Sequence, residues 1–199
     1  MYEHLLPADR ATRYEDPLDA YLHRHSLGRL TGAGTQAGEN APIVFVQLEL
    51  ELDSARDIDL VAAKLDECGA PLGSQLHVVT DDGTETRVCG TTECMAVFID
   101  GQTLPLDVYA SSDVNVLIAK LQAALAKTKA GDLRSYWEGT AETGLFFFGA
   151  SADAMVAATW PVLANEALAQ NARIVKRYGH HPQGPAEARV PLATRREPS

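Results

Sequence analysis

The most regular hydrophobic pattern in the chain is IVFVQLELEL, residues 43–52, where Val44, Val46, Leu48, Leu50 and Leu52 alternate with Ile43, Phe45, Gln47, Glu49 and Glu51. Successive side chains of a strand point to opposite faces, so the pattern predicts a strand with one apolar face and a second face that turns polar along its length. It also predicts a sheet covered on one side, because strands of a buried parallel sheet read as continuously apolar. A helix is predicted next over 55–68. Ser54 serves as its N-cap, and Ile58, Val61, Leu65 and Cys68 recur at helical spacing. Gly69 fits the C′ position, and Pro71 bars continuation.

Strands are predicted at 75–79 and 84–89 around an Asp82-Gly83 hairpin turn. Further strands are expected at 94–99 and, after an Asp100-Gly101 turn, at 103–109. Ser112 caps a second predicted helix, with Val114, Leu117, Ile118, Leu121, Ala124 and Leu125 as its apolar stripe. Lys127 and Lys129 favour its C-terminal dipole, and Gly131 can close it. SYWEGTAETGLFFFGA predicts two strands around Glu142-Thr143-Gly144. A helix over 152–168 follows, capped by Ser151 and kinked or broken at Pro161, and then a strand at 173–178. The run Phe146-Phe147-Phe148 must place at least one ring on the face opposite the others.

Residues 1–42 are the least regular. A short helix is expected around Leu18, Tyr21 and Leu22, stopped near Gly28, and TGAGTQAGENAP reads as a glycine-rich loop. Residues 180–199 are rich in Pro, Arg and Glu without apolar periodicity and read as a disordered tail. The expected organisation is an irregular segment over 1–42, one α+β domain over 43–179, and the tail. Two segments share a strand–helix–strand layout, 43–79 and 144–178. They predict a mostly antiparallel α+β sheet with helices on one face, built from one or two ferredoxin-like split β-α-β units.

The charge is uneven over the 199 residues: 1–170 carry 25 Asp and Glu against 11 Lys and Arg, and 171–199 carry 2 against 6, within a net charge of −10. A body this acidic repels phosphate backbones and anionic membranes, so neither nucleic acid nor membrane is an expected partner. It favours a basic protein partner, mainly through association rate. No window reaches a membrane span, and the start shows no signal-peptide pattern, so a cytoplasmic location is expected. Three cysteines, Cys68, Cys89 and Cys94, read as reduced thiols.

The candidate chemistry is sparse. Gly32-Ala33-Gly34-Thr35-Gln36-Ala37-Gly38 has the glycines of a dinucleotide loop but neither the preceding strand nor the following helix that such a loop needs. His23 and His25, Cys89 and Cys94, and His180-His181 are too scattered for a zinc site, and no cofactor or metal is expected. A dispersed enzymatic site could draw on His77, Cys94, Glu138 and Glu142. Glu49 and Glu51 share one strand face, roughly 6.5–7 Å apart. With Asp53, Asp57 and Asp59 they make an acidic rim, the candidate surface for a cationic partner.

SYWEGTAETGLFFFGASADAM followed by ARIVKRYG resembles, in general character, the small acidic immunity proteins of bacterial polymorphic toxin systems. The resemblance is one of class and carries over no site residue. It implies a non-enzymatic binding protein that neutralises a basic toxin. The competing expectations are a small-molecule-binding regulatory module and an enzyme.

Overall fold

The computed structural model describes residues 1–37, 43–80, 83–181 and 184–191. The chain divides into two compact units. One comprises Met1–Thr92 with Gly179–Pro185, and the other Glu93–Tyr178 with a C-terminal piece beginning at Ala186. This differs from the single domain expected over 43–179. The physical basis is that buried apolar side chains gather into separate clusters, one around Tyr14, Leu22, Val46 and Val61 and another around Val97, Leu121 and Phe147.

In the first unit the chain is helical from Pro7 to His25, as α1 (Pro7–Arg10), a π-helical turn over Ala11–Glu15, and α2 (Asp16–His25). Leu18 and Leu22 face inward, as expected, and Tyr14 joins them fully buried. Ser26, with φ 52°, ends α2, and Leu27 N–H reaches back to Leu22 O at 3.0 Å. Gly28 does not open a loop. Residues Gly28–Ala37 form strand β1, antiparallel to β2 (Ile43–Leu52), with a bulge between Leu30 and Gly32. The glycine-rich stretch lacks a side-chain pattern because the ladder to β2 uses backbone groups alone. Residues 38–42, the rest of that expected loop, lie outside the described residues.

A 3₁₀ turn (Ala55–Asp57) leads into α3 (Ile58–Glu67). Ser54 Oγ accepts from Arg56 N–H at 3.3 Å, so the expected cap serves the turn before the helix. Ala70 N–H bonds back to Leu65 O at 2.9 Å and closes the helix at Gly69. β3 (Ser74–Thr80) and β4 (Gly83–Cys89) form a regular antiparallel hairpin, although Asp82 of its expected turn lies outside the described residues. β1-β2 and β3-β4 are separate two-stranded sheets. The β-α-β unit expected over 43–79 therefore does not form.

From Glu93 the chain runs β5 (Glu93–Asp100), α4 (Leu106–Ser111), α5 (Val114–Thr128), β6 (Asp132–Glu138), β7 (Glu142–Gly149), α6 (Ala152–Leu163), β8 (Arg173–His181), β9 (Gly184–Pro191), all in the second unit except the end of β8 from Gly179 and the start of β9 up to Pro185. Its sheet has the order β6-β7-β5-β8-β9, with β5–β7, β5–β8 and β6–β7 antiparallel. β7 lies between β5 and β6, and β5 lies between β7 and β8. These are two interleaved split β-α-β units, the ferredoxin-like arrangement. The α+β, antiparallel class is thus present as expected. The 144–178 segment supplies one split unit, but its partner is 93–138 and not 43–79.

Met95, Val97, Ile99, Leu145, Phe147 and Ile174 pack beneath Leu117, Leu121 and Leu125 of α5 and Met155 of α6 on one face of this sheet. The opposite face buries Cys94, Ala96, Phe98, Phe146, Phe148 and Val175. The three phenylalanines therefore divide between the faces, and all are buried.

Four local expectations fail here. Glu142, Thr143 and Gly144 are not a turn but the first residues of β7, and β6 ends before them at Glu138. Thr103–Tyr109 is not a strand: the Asp100 carboxylate accepts from Gln102 N–H and Thr103 N–H, both at 2.8 Å, and turns the chain into α4. Asp113, not Ser112, caps α5, accepting from Asn115 N–H at 2.8 Å. α6 runs only to Leu163, because Pro161 falls in its last turn and cannot sustain the ladder. In the expected tail, Gly184–Pro191 forms an edge strand held by main-chain pairing, and 192–199 lie outside the described residues.

Candidate functional site

The first unit holds a cleft of about 600 Å³ between its two hairpins. Its walls are sheet edges. Asp53 N–H reaches Leu27 O on the β1 side of β2, whereas Val46 N–H donates to Met1 O at 2.9 Å on the other side and Met1 N donates to Val46 O at 3.0 Å. Alternate residues of a strand direct their N–H and C=O to the same edge. Leu48 and Leu50 therefore present theirs along the edge that Val46 shares with Met1. Among the described residues no strand pairs with that edge of β2, nor with the edge of β3 that faces away from β4.

The side chains around the cleft sort by strand parity. Val46, Leu48 and Leu50 turn inward with Leu76 to the cluster that includes Val61 and Leu65, and Ile58 adds to the lining. Gln47, Glu49, Gln75 and His77 turn outward and are exposed. Glu49 leans over Gly32 of β1, where a Cβ would lie 2.9 Å from its Oε2, and it accepts from Gln47 Nε2 at 3.1 Å.

Cys89 is the cleft's one thiol, and it is buried. Burial, then the nearby Asp66 charge, push it up to about 11 against the opposing Met1 ammonium. At neutral pH the thiol is therefore held protonated, which makes it a poor nucleophile. His77 Nδ1 lies 3.2 Å from Thr86 Oγ1. Cys94, Glu138 and Glu142 are not among the residues lining the cleft. Cys94 is buried in the second unit's sheet, and Glu142 forms a bidentate pair with Arg173 at 3.0 and 2.7 Å. That guanidinium stacks over Phe98, 3.9 Å from the ring centroid. The dispersed constellation His77, Cys94, Glu138 and Glu142 is therefore not assembled in the cleft. Among the described residues no group of three or more His, Cys, Asp and Glu could hold a metal, and no helix is long and apolar enough to cross a membrane.

The acidic rim lies wholly in this unit, but not all of it is available. Glu51 is paired with Arg29 at 2.5 Å, and Asp59 with Arg87 at 3.6 Å, a cation that also holds Glu85 at 3.0 Å. Glu49, Asp53 and Asp57 have no ion pair among the described residues. Of the five, Glu49 alone lines the cleft.

The polar cluster at the chain's start is not legible in the sequence pattern. Glu3 and Tyr14 are fully buried and joined by a hydrogen bond of 2.5 Å, and Arg10 pairs with Glu15 at 2.6 Å. These contacts tie the first residues to the helix while Met1 pairs with β2. The only advance signal was the unusual density of charges and aromatics in residues 1–15.

Comparison with models of protein families, with curated proteins and with solved structures returns no match.

Proposed function

We propose that the chain is a non-enzymatic binding protein that holds a basic partner protein at the β2–β3 cleft, the kind of role that toxin-neutralising immunity proteins perform. The observation that carries this reading is the cleft itself: an apolar floor, a polar rim and a thiol held protonated, which suits binding better than turnover. Its charge setting supports a cationic partner. Residues 1–92 carry 16 Asp and Glu against 7 Lys and Arg, nearly the whole net charge of the chain. Such a field speeds encounter with a cation and discourages anionic competitors.

The test is capture with paired variants. A basic protein retained by the wild-type chain, released by moderate salt, and lost by Glu49→Lys with Glu51→Lys at unchanged thermal stability supports the reading. Equal retention by the double variant contradicts it. A second reading, a small-molecule-binding module, is favoured by the cleft's volume alone, which lies in the range of ligand pockets. Stabilisation in a thermal-shift screen of common metabolites would support that reading, and no response would count against it.

A further inference from the structure

We infer that the cleft receives an extended segment of the partner as a β-strand, paired with β2 on one side and β3 on the other, its basic side chains outward and its apolar ones inward. The inference rests on the binding reading above and names the mode by which that site is filled.

Four observations lead to it. Both walls are strand edges, and each strand is already hydrogen-bonded on its other side. The β2 edge already accepts a strand-like partner, since Met1 makes both main-chain bonds with Val46. Beyond that bridge the edge continues through Leu48 and Leu50, and Gln47–Leu52 offers about 20 Å, room for about six extended residues. Neither IVFVQLELEL nor SQLHVVT contains Pro or Lys. The β3–β4 register runs from Ser74↔Cys89 to Thr80↔Gly83 without a bulge. The β1–β2 ladder shifts register between Leu30 and Gly32 and between Gln36 and Ala37, but at the first shift the extra residue is on β1, so Gln47–Leu52 of β2 remains regular. Exposed edges are normally blunted by such devices, and an edge left regular is a template for strand addition.

Parity then fixes the occupant's chemistry. Inward positions of the added strand face Ile58 and Leu65 and call for apolar side chains. Outward positions lie beside Glu49 and Gln47 in the more acidic unit and call for Lys or Arg. The completed sheet would have the order β1-β2-partner-β3-β4.

The probes are acetylated octapeptides titrated by fluorescence polarisation: alternating Lys-Val, a block version of four Lys then four Val, alternating Glu-Val, and two alternating Lys-Val peptides N-methylated at one or the other set of alternate residues. The alternating basic peptide is expected to bind in the micromolar range, about tenfold or more tighter than the block or acidic peptide. Each N-methylated version is expected to lose about tenfold or more, because alternate N–H groups serve opposite neighbours. Undiminished binding by both N-methylated peptides would overturn strand addition while leaving a cationic site in place. Binding by no basic peptide would overturn both readings. Sedimentation of the free protein as a dimer that excludes the peptide would overturn this one, a second copy then being the occupant.

Discussion

Glu49 is the carboxylate whose replacement bears most directly on partner choice, because it lines the cleft and has no ion pair among the described residues. A strand added beside β2 lies about 4.8 Å away, and Glu49 leans toward β1, which puts its charge about 8 Å from a basic group on that strand. At that distance, with an effective dielectric constant of about 40 for an exposed pair, the attraction is about 1 kcal/mol. A Debye length of about 8 Å at physiological salt reduces it to roughly 0.4 kcal/mol. Glu49→Gln should therefore weaken a bound basic peptide about twofold to fivefold, and Glu49→Lys about fourfold to thirtyfold between physiological and low salt. The assay is a titration of the alternating Lys-Val octapeptide at about 25, 150 and 500 mM NaCl, with the gap between wild type and Glu49→Lys narrowing as salt rises. Equal affinities for wild type and Glu49→Lys at the lowest salt would refute the argument that this carboxylate selects the partner.

Other perturbations test the framework. Gly90 has φ +103°, and a Cβ there would sit 1.8 Å from Pro71 O, so Gly90→Ala should lower stability by more than about 2 kcal/mol in urea unfolding; an unchanged midpoint would contradict this geometry. Leu121 is fully buried, and Leu121→Ala should cost about 2–5 kcal/mol. Tryptophan fluorescence can follow that loss, because Trp137 and Trp160 both belong to the second unit. Burial raises the Asp100 carboxyl, but hydrogen bonds from Thr103, Gln102 and Asn171 outweigh it and bring it down to about 2. A depressed carboxylate stabilises the fold above its unfolded value near 4 and loses that contribution as pH falls toward 2. Asp100→Ala should thus be less stable than wild type at neutral pH, with the difference shrinking between about pH 4 and 2; a difference that grows on acidification would contradict the assignment. Cys89 should react with iodoacetamide far more slowly than a free thiol at pH 7, and a rate matching free cysteine would show that it is neither buried nor held protonated.

What the sequence announced, and what it withheld, follows the kind of interaction involved. The alternation in 43–52 predicts β2, and Val46, Leu48, Leu50 and Leu52 do face the core, because side-chain period is a local property of a half-buried strand. The apolar stripe Leu117, Leu121, Leu125 located α5 for the same reason, and 144–178 disclosed a split β-α-β unit. β1 is not legible because Gly28–Ala37 is held by the ladder to β2 and its side chains carry no pattern. The same holds for β9. α4 lies where the pattern predicts a strand because the Asp100 side chain, not a propensity, turns the chain there. The acidic rim was legible as composition, but its partial neutralisation by Arg29 and Arg87 depends on chain segments about 20–30 residues away in sequence, a tertiary effect that no local pattern encodes. The cleft left no sequence signal either, because it arises where β2 and β3 fail to pair.

Everything proposed for the cleft turns on whether a partner strand pairs with this open edge of β2. The most direct test is residue-resolved hydrogen exchange of the protein alone and with saturating alternating Lys-Val octapeptide. With strand addition, the Leu48 and Leu50 amides should exchange freely in the unliganded protein and become protected by about tenfold or more on binding, while Asp53, already bonded to Leu27, changes little. Peptide binding that leaves the Leu48 and Leu50 exchange rates unaltered would contradict it.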